Sequence, residues 1–243
     1  MFRKNCEPKN IYTSRLEGNF NFISKRKHRN LKRRMDNFMS EEEGIEVKPM
    51  GAYGETILKI VLIPVIAALN YVTGAIVTLT RLPAFLDTWA TSFGVIVAGL
   101  WVGALGGFLY NIIMALTLWG LPAWVWGFIN VYIAIITWVF YRAGWVDIKK
   151  PVKLIAAGLI TGFTNTFACT LVSVVAFGAL PTAPSPFMTA VYAWALNATG
   201  NMVFASWMSS VAVELYDKTI ALYIAAIVAS ALPKRFILTK STS

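Results

Sequence analysis

Two long blocks of this sequence contain no Asp, Glu, Lys or Arg, one from Thr88 to Tyr141 and one from Leu154 to Val213. A helix needs about 20 mainly apolar residues to cross the hydrocarbon core of a bilayer. Each block is therefore long enough for at least two crossings. A water-soluble core would not exclude charge over such lengths. The two blocks predict that most of the chain lies in a membrane.

The membrane-spanning segments are expected to be helices. Backbone polar groups in lipid must be paired within the protein, which leaves helix bundles and closed β-barrels as the spanning structures. The long apolar runs do not alternate apolar and polar residues with the period of two that barrel strands require. The sequence therefore predicts an all-α fold, a polytopic membrane helix bundle.

The positive charge is concentrated in the first residues of the chain. The net charge is +10, and twelve of the 22 Lys and Arg residues precede position 51. We interpret 1–50 as a basic, disordered cytoplasmic tail that contacts anionic lipid headgroups, so membrane lipids are expected partners and nucleic acid is not. Residues 51–235 are predicted to form the transmembrane domain and 236–243 a cytoplasmic C-terminal tail. Met39, followed by Ser-Glu-Glu-Glu, is a second possible start of the natural chain.

About six crossings and one extra helix are expected. The predicted spans are 56–80, 88–99, 102–118, 125–141, 152–177 and 215–233, and the extra outer helix or re-entrant element is 187–213. The second and third spans are interpreted as a hairpin around Gly99-Leu100-Trp101, because one uncharged helix of about 30 residues exceeds the thickness of a bilayer. The alternative is a single long helix over both stretches.

The basic segments predict the orientation, since Lys and Arg are enriched in cytoplasmic loops. They are the N-terminal tail, the 142–153 loop, and the C-terminal residues Lys234, Arg235 and Lys240. Six crossings place all three segments in the cytoplasm, with both termini on that side of the cell membrane. A seventh crossing through 187–213 would place the C-terminal basic residues outside, which the charge distribution disfavours.

Polar residues inside the apolar spans are the candidates for a binding site, because a polar group in lipid needs a partner or a water-lined cavity. In the six-span orientation they gather, with several Trp, in the outer half of the bundle. The candidate ligand-binding residues are Asp87, Asn111, Trp119, Trp126, Asn130, Asn165, Asn197, Asn201 and Glu214. Rings would stack on a small molecule and amides would hydrogen-bond its edges. Alternatively, the Asn residues join helices and the Trp residues form the interface belt.

Catalytic, metal and cofactor sites are not expected. His28, in the tail, is the only histidine, and Cys6 and Cys169 are too far apart in the sequence to show metal-ligand spacing. The sequence has no phosphate-binding loop and no nucleophile elbow. A proton relay needs intramembrane carboxylates, and the two charge-free blocks within 88–213 supply none, which disfavours a self-powered proton-coupled transporter. Energy for any transport must then come from another subunit or from the substrate gradient.

Three stretches resemble the substrate-binding S components of energy-coupling factor (ECF) transporters. The first is Leu82-Pro-Ala-Phe-Leu-Asp-Thr88, followed by an apolar run to Gly99. The second is Trp101-Val-Gly-Ala-Leu-Gly-Gly-Phe-Leu-Tyr-Asn111. The third is Glu214-Leu-Tyr-Asp-Lys218, followed by an apolar helix and Leu232-Pro-Lys-Arg235. The resemblance covers 56–235.

This resemblance implies a six-helix fold with a substrate pocket near the outer surface. It also implies two kinds of partner, a transmembrane coupling subunit and a pair of cytoplasmic ATPases. Metal-transporting relatives use a His near the N-terminus, which this membrane region lacks, so the expected substrate is a small, organic, vitamin-like molecule. The alternative function is a membrane sensor or assembly subunit that transports nothing.

Overall fold

The structure, a computed structural model, describes residues 52–180, 185–233 and 236–239. The predicted tail at 1–50 lies outside the described residues, as does the end of the predicted C-terminal tail at 240–243. The described residues belong to one structural unit, which begins at Gly51.

Seven α-helices lie within the described part of the chain, and the prediction of an all-α bundle is confirmed. They are α1 (Ala52–Thr80), α2 (Trp89–Ala98), α3 (Leu100–Met114), α4 (Gly127–Arg142), α5 (Pro151–Phe177), α6 (Pro186–Thr199) and α7 (Met202–Ala231). A π-helical turn, Ala115–Trp119, extends α3, and a 3-10 helix, Leu121–Trp126, leads into α4.

Four helical segments in the described ranges are long and apolar enough to cross a membrane. They are Tyr53–Thr80, Leu100–Trp119, Leu121–Arg142 and Pro151–Phe177. Helix α2 is apolar but has only 10 residues, about 15 Å at the helical rise of 1.5 Å per residue. Helix α7 has 30 residues but contains three charged side chains. These four segments give the chain the fold of a multi-pass membrane protein. The count of six spans stays a prediction.

The predicted hairpin at Gly99 is present, and the alternative of one long helix is wrong. Gly99 has a φ of 106°, which ends α2 and starts α3. The two helices then pack at backbone distance, because a Cβ on Gly103 would lie 2.6 Å from the carbonyl oxygen of Thr91. Glycine is required both for the turn and for the close approach.

The predicted division between 187–213 and 215–233 is wrong. The helical structure is interrupted instead at Gly200, whose φ of 66° ends α6. Asn201 caps α7 by accepting a hydrogen bond from the Phe204 amide at 3.0 Å. From there α7 continues without interruption through Glu214. The charged residues do not break the helix because their charges are paired inside the bundle.

One end of the bundle, here called the tryptophan end, holds Trp119, Trp124 and Trp126. Trp119 Nε1 donates a hydrogen bond to Thr78 Oγ1 at 3.1 Å, which places the last turns of α1 at this end. Trp126 stacks on Phe177, the last residue of α5, with ring centroids 5.7 Å apart. The tryptophan end therefore gathers the end of α1, the end of α5 and the turns before α4.

The opposite end, here called the basic end, holds Arg142, Lys149, Lys150 and Lys153. The C-terminal segment 236–239 lies at this end, where the Leu238 amide donates to the Val97 carbonyl oxygen at 2.7 Å. The hydroxyls of Tyr141 and Thr239 are also hydrogen-bonded, at 3.0 Å. The last turns of α2 and α4 and the C-terminal segment are thus brought together.

Helices α5 and α7 form an antiparallel pair that carries the centre of the bundle. A Cβ on Gly158 would lie 2.6 Å from Thr219 Cα, and one on Gly162 would lie 2.5 Å from the Glu214 carbonyl oxygen. Glycine on α5 therefore lets the two backbones touch. This contact holds the charged segment of α7 against the middle of α5.

Candidate functional site

The segment between α1 and α2 turns back into the bundle from the tryptophan end. Its Phe85 and Leu86 amides donate to Asp217 Oδ1 on α7, at 2.8 and 2.9 Å. Leu86 has a φ of 46°, a left-handed conformation that non-glycine residues rarely adopt. Because the segment covers part of the bundle depth before α2 begins, α2 has only ten residues. This path carries Asp87 into the bundle interior.

Three carboxylates surround one lysine inside the bundle, and we call these four residues the charged cluster. The Lys218 ammonium lies 2.8 Å from Asp217 Oδ2 and 3.2 Å from Glu214 Oε2. It also lies 3.8 Å from Asp87 Oδ1. All four side chains are buried. With every group ionised, three negative charges oppose one positive charge, so the cluster has a formal excess of two negative charges.

Glu214 and Asp217 are well supplied with hydrogen-bond donors. Asn165 Nδ2 donates to Glu214 Oε2 at 2.8 Å, and the Cys169 thiol donates to Oε1 at 3.4 Å. Asp217 accepts the two loop amides with one oxygen and the Lys218 ammonium with the other. Buried carboxylates need such partners to offset their desolvation. These contacts fix the two side chains.

Asp87 has weaker partners than the other two carboxylates. Its Oδ2 accepts a hydrogen bond from the Tyr110 hydroxyl at 3.4 Å. Its Oδ1 has no hydrogen-bond partner among the described residues, although Lys218 lies within ion-pair distance. Asp87 is therefore the carboxylate of the charged cluster with the most remaining capacity to accept hydrogen bonds.

A second polar network holds the first turn of α2. Asn70 on α1 accepts a hydrogen bond from the Ala90 amide at 3.0 Å and donates one to Thr91 Oγ1 at 2.9 Å. Thr91 in turn donates to Asn130 Oδ1 on α4, at 2.7 Å. All members are buried. This network joins three helices and fixes the point at which the loop enters the bundle.

A cavity of about 90 Å³ begins at the charged cluster and extends toward the tryptophan end. Its inner part is lined by Asp87, Glu214 and Lys218, and its outer part by Trp119 and Trp126. The remaining lining residues are Phe85, Thr88, Asn111, Ile129, Asn130, Cys169, Ser173, Leu180, Met188, Ser206, Ser209 and Ser210. A single buried water molecule needs roughly 10–15 Å³ of cavity volume, so this cavity has room for a small ligand.

Three cavity-lining residues have a buried oxygen without a hydrogen-bond partner in the described part of the chain. These atoms are Asp87 Oδ1, Thr88 Oγ1 and Asn111 Oδ1. Buried polar atoms in proteins are nearly always hydrogen-bonded. Two of the three can only accept hydrogen bonds. The arrangement is therefore suited to binding a donor-rich molecule.

The structure brings most of the predicted site residues together. Those that line the cavity are Asp87, Asn111, Trp119, Trp126, Asn130 and Glu214. Asn165 lies behind the cavity, where it contacts Glu214. The site is deeper than expected: Asn165 precedes Phe177, at the tryptophan end, by 12 positions on α5, which is about 18 Å along a helix. Glu214 is therefore in the middle of the bundle and not at its outer end.

Asn197 and Asn201 do not belong to this cavity. Both are exposed, and they do not share a helical face because α6 ends at Thr199. Asn201 caps the first turn of α7 instead. The expectation that these amides join the other polar groups depended on one helix over 187–213, which the structure does not contain.

Lys218 and Asp217 were not among the candidates. They lie at the centre of the charged cluster, where the Lys218 ammonium is 2.8 Å from Asp217 Oδ2. Charged residues within a mainly apolar helix were the signal, because such residues are usually functional or paired. No such signal in the sequence indicated Ser206, Ser209 and Ser210. Serine is a common residue type, and these three lie on one face of α7.

We compared the chain with protein-family models, curated protein sequences and solved structures, and none of them matches.

Proposed function

We propose that this chain is the membrane-embedded substrate-binding (S) subunit of an ECF-type uptake transporter, and that it captures a small, organic, vitamin-like molecule from outside the cell. The observation that carries the proposal is the buried polar cavity within a bundle of apolar helices. The proposed partners are a transmembrane coupling subunit and cytoplasmic ATPases. The chain itself would bind its substrate without changing it chemically.

The energetics of the bundle support a binding role. Polar groups without partners are unfavourable in a membrane protein, and a purely structural bundle would fill the same space with apolar side chains. Here three oxygens beside aromatic rings in the cavity have no hydrogen-bond partner among the residues that the structure describes. A concave site with a few fixed polar groups and aromatic walls is typical of small-molecule binding.

Capture from outside requires the tryptophan end to face the exterior, since the cavity extends toward that end. The concentration of Lys and Arg at the basic end supports a cytoplasmic position for it. In a Cys6→Ser background, we expect a membrane-impermeant maleimide to label Leu121→Cys in intact cells. Lys149→Cys should be labelled only after permeabilisation. The reverse pattern would exclude capture from outside.

The decisive experiment is mass spectrometry of the full chain after mild purification from its native membrane. We expect a small organic molecule and a set of partner subunits that includes ATPases. Retention of a partner without ATPase subunits, together with no bound small molecule, would refute the proposal and favour the sensor or assembly alternative.

Substitution of Asn111 tests whether the cavity is the binding site. Asn111→Leu preserves the approximate size of the side chain but removes a buried acceptor, so we expect affinity for the co-purified molecule to fall about tenfold. Asn197→Leu is the matched control, because Asn197 is exposed and outside the cavity. Equal affinities for the two variants, measured by equilibrium dialysis, would show that the molecule binds elsewhere.

A further inference from the structure

We propose that the ligand of this cavity is a small organic cation with N–H donors, such as a protonated amine or an amidinium. This inference rests on the proposed binding function and specifies the chemical class of the substrate. The observations behind it are the charge balance of the charged cluster and the acceptor character of the unpartnered cavity atoms.

The charge balance favours a positive ligand. Among the described residues that line the cavity, Lys218 is the one basic residue, and it already lies within 4.0 Å of three carboxylates. An anion entering the cavity would meet this excess of negative charge, whereas a cation would reduce it. In a low-dielectric interior, such charge interactions are much stronger than in water.

The position of the remaining acceptors indicates where the cation binds. Glu214 and Asp217 are held by Asn165, the loop amides and Lys218. Within the described part of the chain, Asp87 Oδ1 and Asn111 Oδ1 accept no hydrogen bond. An NH2 or NH3+ group of the ligand between Asp87 and Asn111 would donate one N–H to each of the two oxygens.

The surroundings favour an organic cation over a metal ion. The Lys218 ammonium already occupies the space among the three carboxylates, which a metal ion would otherwise need. Farther out, the cavity is lined by Trp119 and Trp126. Aromatic rings bind organic cations through their electron-rich faces and through apolar contact. The ligand would therefore place its charged group near Asp87 and its apolar part toward the tryptophan end.

Three small probes of nearly the same shape test the sign of the charge. Acetamidinium, acetamide and acetate are planar, have four heavy atoms each, and differ in charge. We expect the full chain in nanodiscs, measured by ligand-observed NMR at neutral pH, to bind acetamidinium about tenfold or more tightly than the other two. If acetamide or acetate binds as tightly, or if acetamidinium shows no saturable binding, the inference is overturned.

The Asp87→Asn variant locates the charge preference. Removing this carboxylate while preserving its shape should reduce the preference for acetamidinium over acetamide to about twofold or less. Asp147→Asn is the control, since Asp147 lies in the connection at the basic end, where it forms an ion pair with Lys150 and accepts a hydrogen bond from the Lys149 amide. A preference that survives Asp87→Asn would contradict the proposed position. The comparison of the three probes on the unaltered chain does not depend on how well the variant folds.

The identity of the molecule retained during purification separates this inference from the proposed function. A retained cation supports both. A retained neutral or anionic molecule would overturn the charge assignment and leave the binding function intact. Absence of any retained molecule, combined with partners that include no ATPase, would overturn the binding function itself.

Discussion

Replacement of Lys218 with methionine is expected to lower the free energy of unfolding by about 3–5 kcal/mol, because it leaves buried carboxylates without their counter-ion. Lys218 is 3% exposed, and it contacts Asp87, Glu214 and Asp217. Methionine fills a similar volume, so the effect would report the lost charge more than lost packing. Unfolding of the purified chain in mild detergent, followed by circular dichroism, measures the change.

Two further variants separate charge from packing at this position. Lys153→Met makes the same substitution at an exposed site on α5, and its effect should stay within about 0.5 kcal/mol. Adding Glu214→Gln to Lys218→Met removes one of the unpaired carboxylates and should recover part of the loss. If Lys218→Met is no less stable than Lys153→Met, Lys218 does not hold the three carboxylates together.

Gly162→Ala is expected to destabilise the bundle by about 1–3 kcal/mol and to weaken ligand binding, because overpacking at a close contact forces the backbone to move. The added Cβ would lie 2.5 Å from the Glu214 carbonyl oxygen and 2.9 Å from Leu215 Cα. Both are backbone atoms that cannot rotate away, so α7 must shift relative to α5. The shift would displace Glu214 and the residues next to it from the cavity. Unfolding in detergent and equilibrium dialysis with the co-purified molecule measure the two effects.

Val175→Ile is the matched control for this change, since it adds one carbon to α5 at a position that is 78% exposed. We expect it to change stability by no more than about 0.5 kcal/mol and to leave binding unchanged. A Gly162→Ala variant with the stability and affinity of Val175→Ile would show that α5 and α7 are not in close contact at this level.

The hydrogen bonds between the segment that precedes α2 and Asp217 on α7 connect the fold to the proposed function. Asp217 accepts hydrogen bonds from the Phe85 and Leu86 amides, and Asp87, in the same segment, lines the cavity. A ligand bound at Asp87 would therefore contact a segment whose position is set by α7. This places the loop between the bound molecule and the helix that carries the other charged groups.

The sequence by itself determined the all-α class, the presence of long apolar membrane helices and one close turn. The two charge-free blocks indicated membrane-spanning helices, because the cost of transferring a segment into hydrocarbon depends on its composition and not on tertiary detail. Gly99 was identifiable as the turn between two short apolar helices, since glycine adopts positive φ without strain. Asn111 and Glu214 were identifiable as candidates because polar groups in apolar spans need partners.

Only the tertiary structure decided which polar residues meet. The break in the last apolar region was expected beside Glu214, whereas it lies at Gly200, because the α7 charges are paired by Asp87 and by loop amides far away in the sequence. Asn197 is the same residue type as Asn111, yet it is exposed and outside the cavity. Local sequence shows that a buried charge or amide needs a partner, but the partner's identity depends on how distant segments pack.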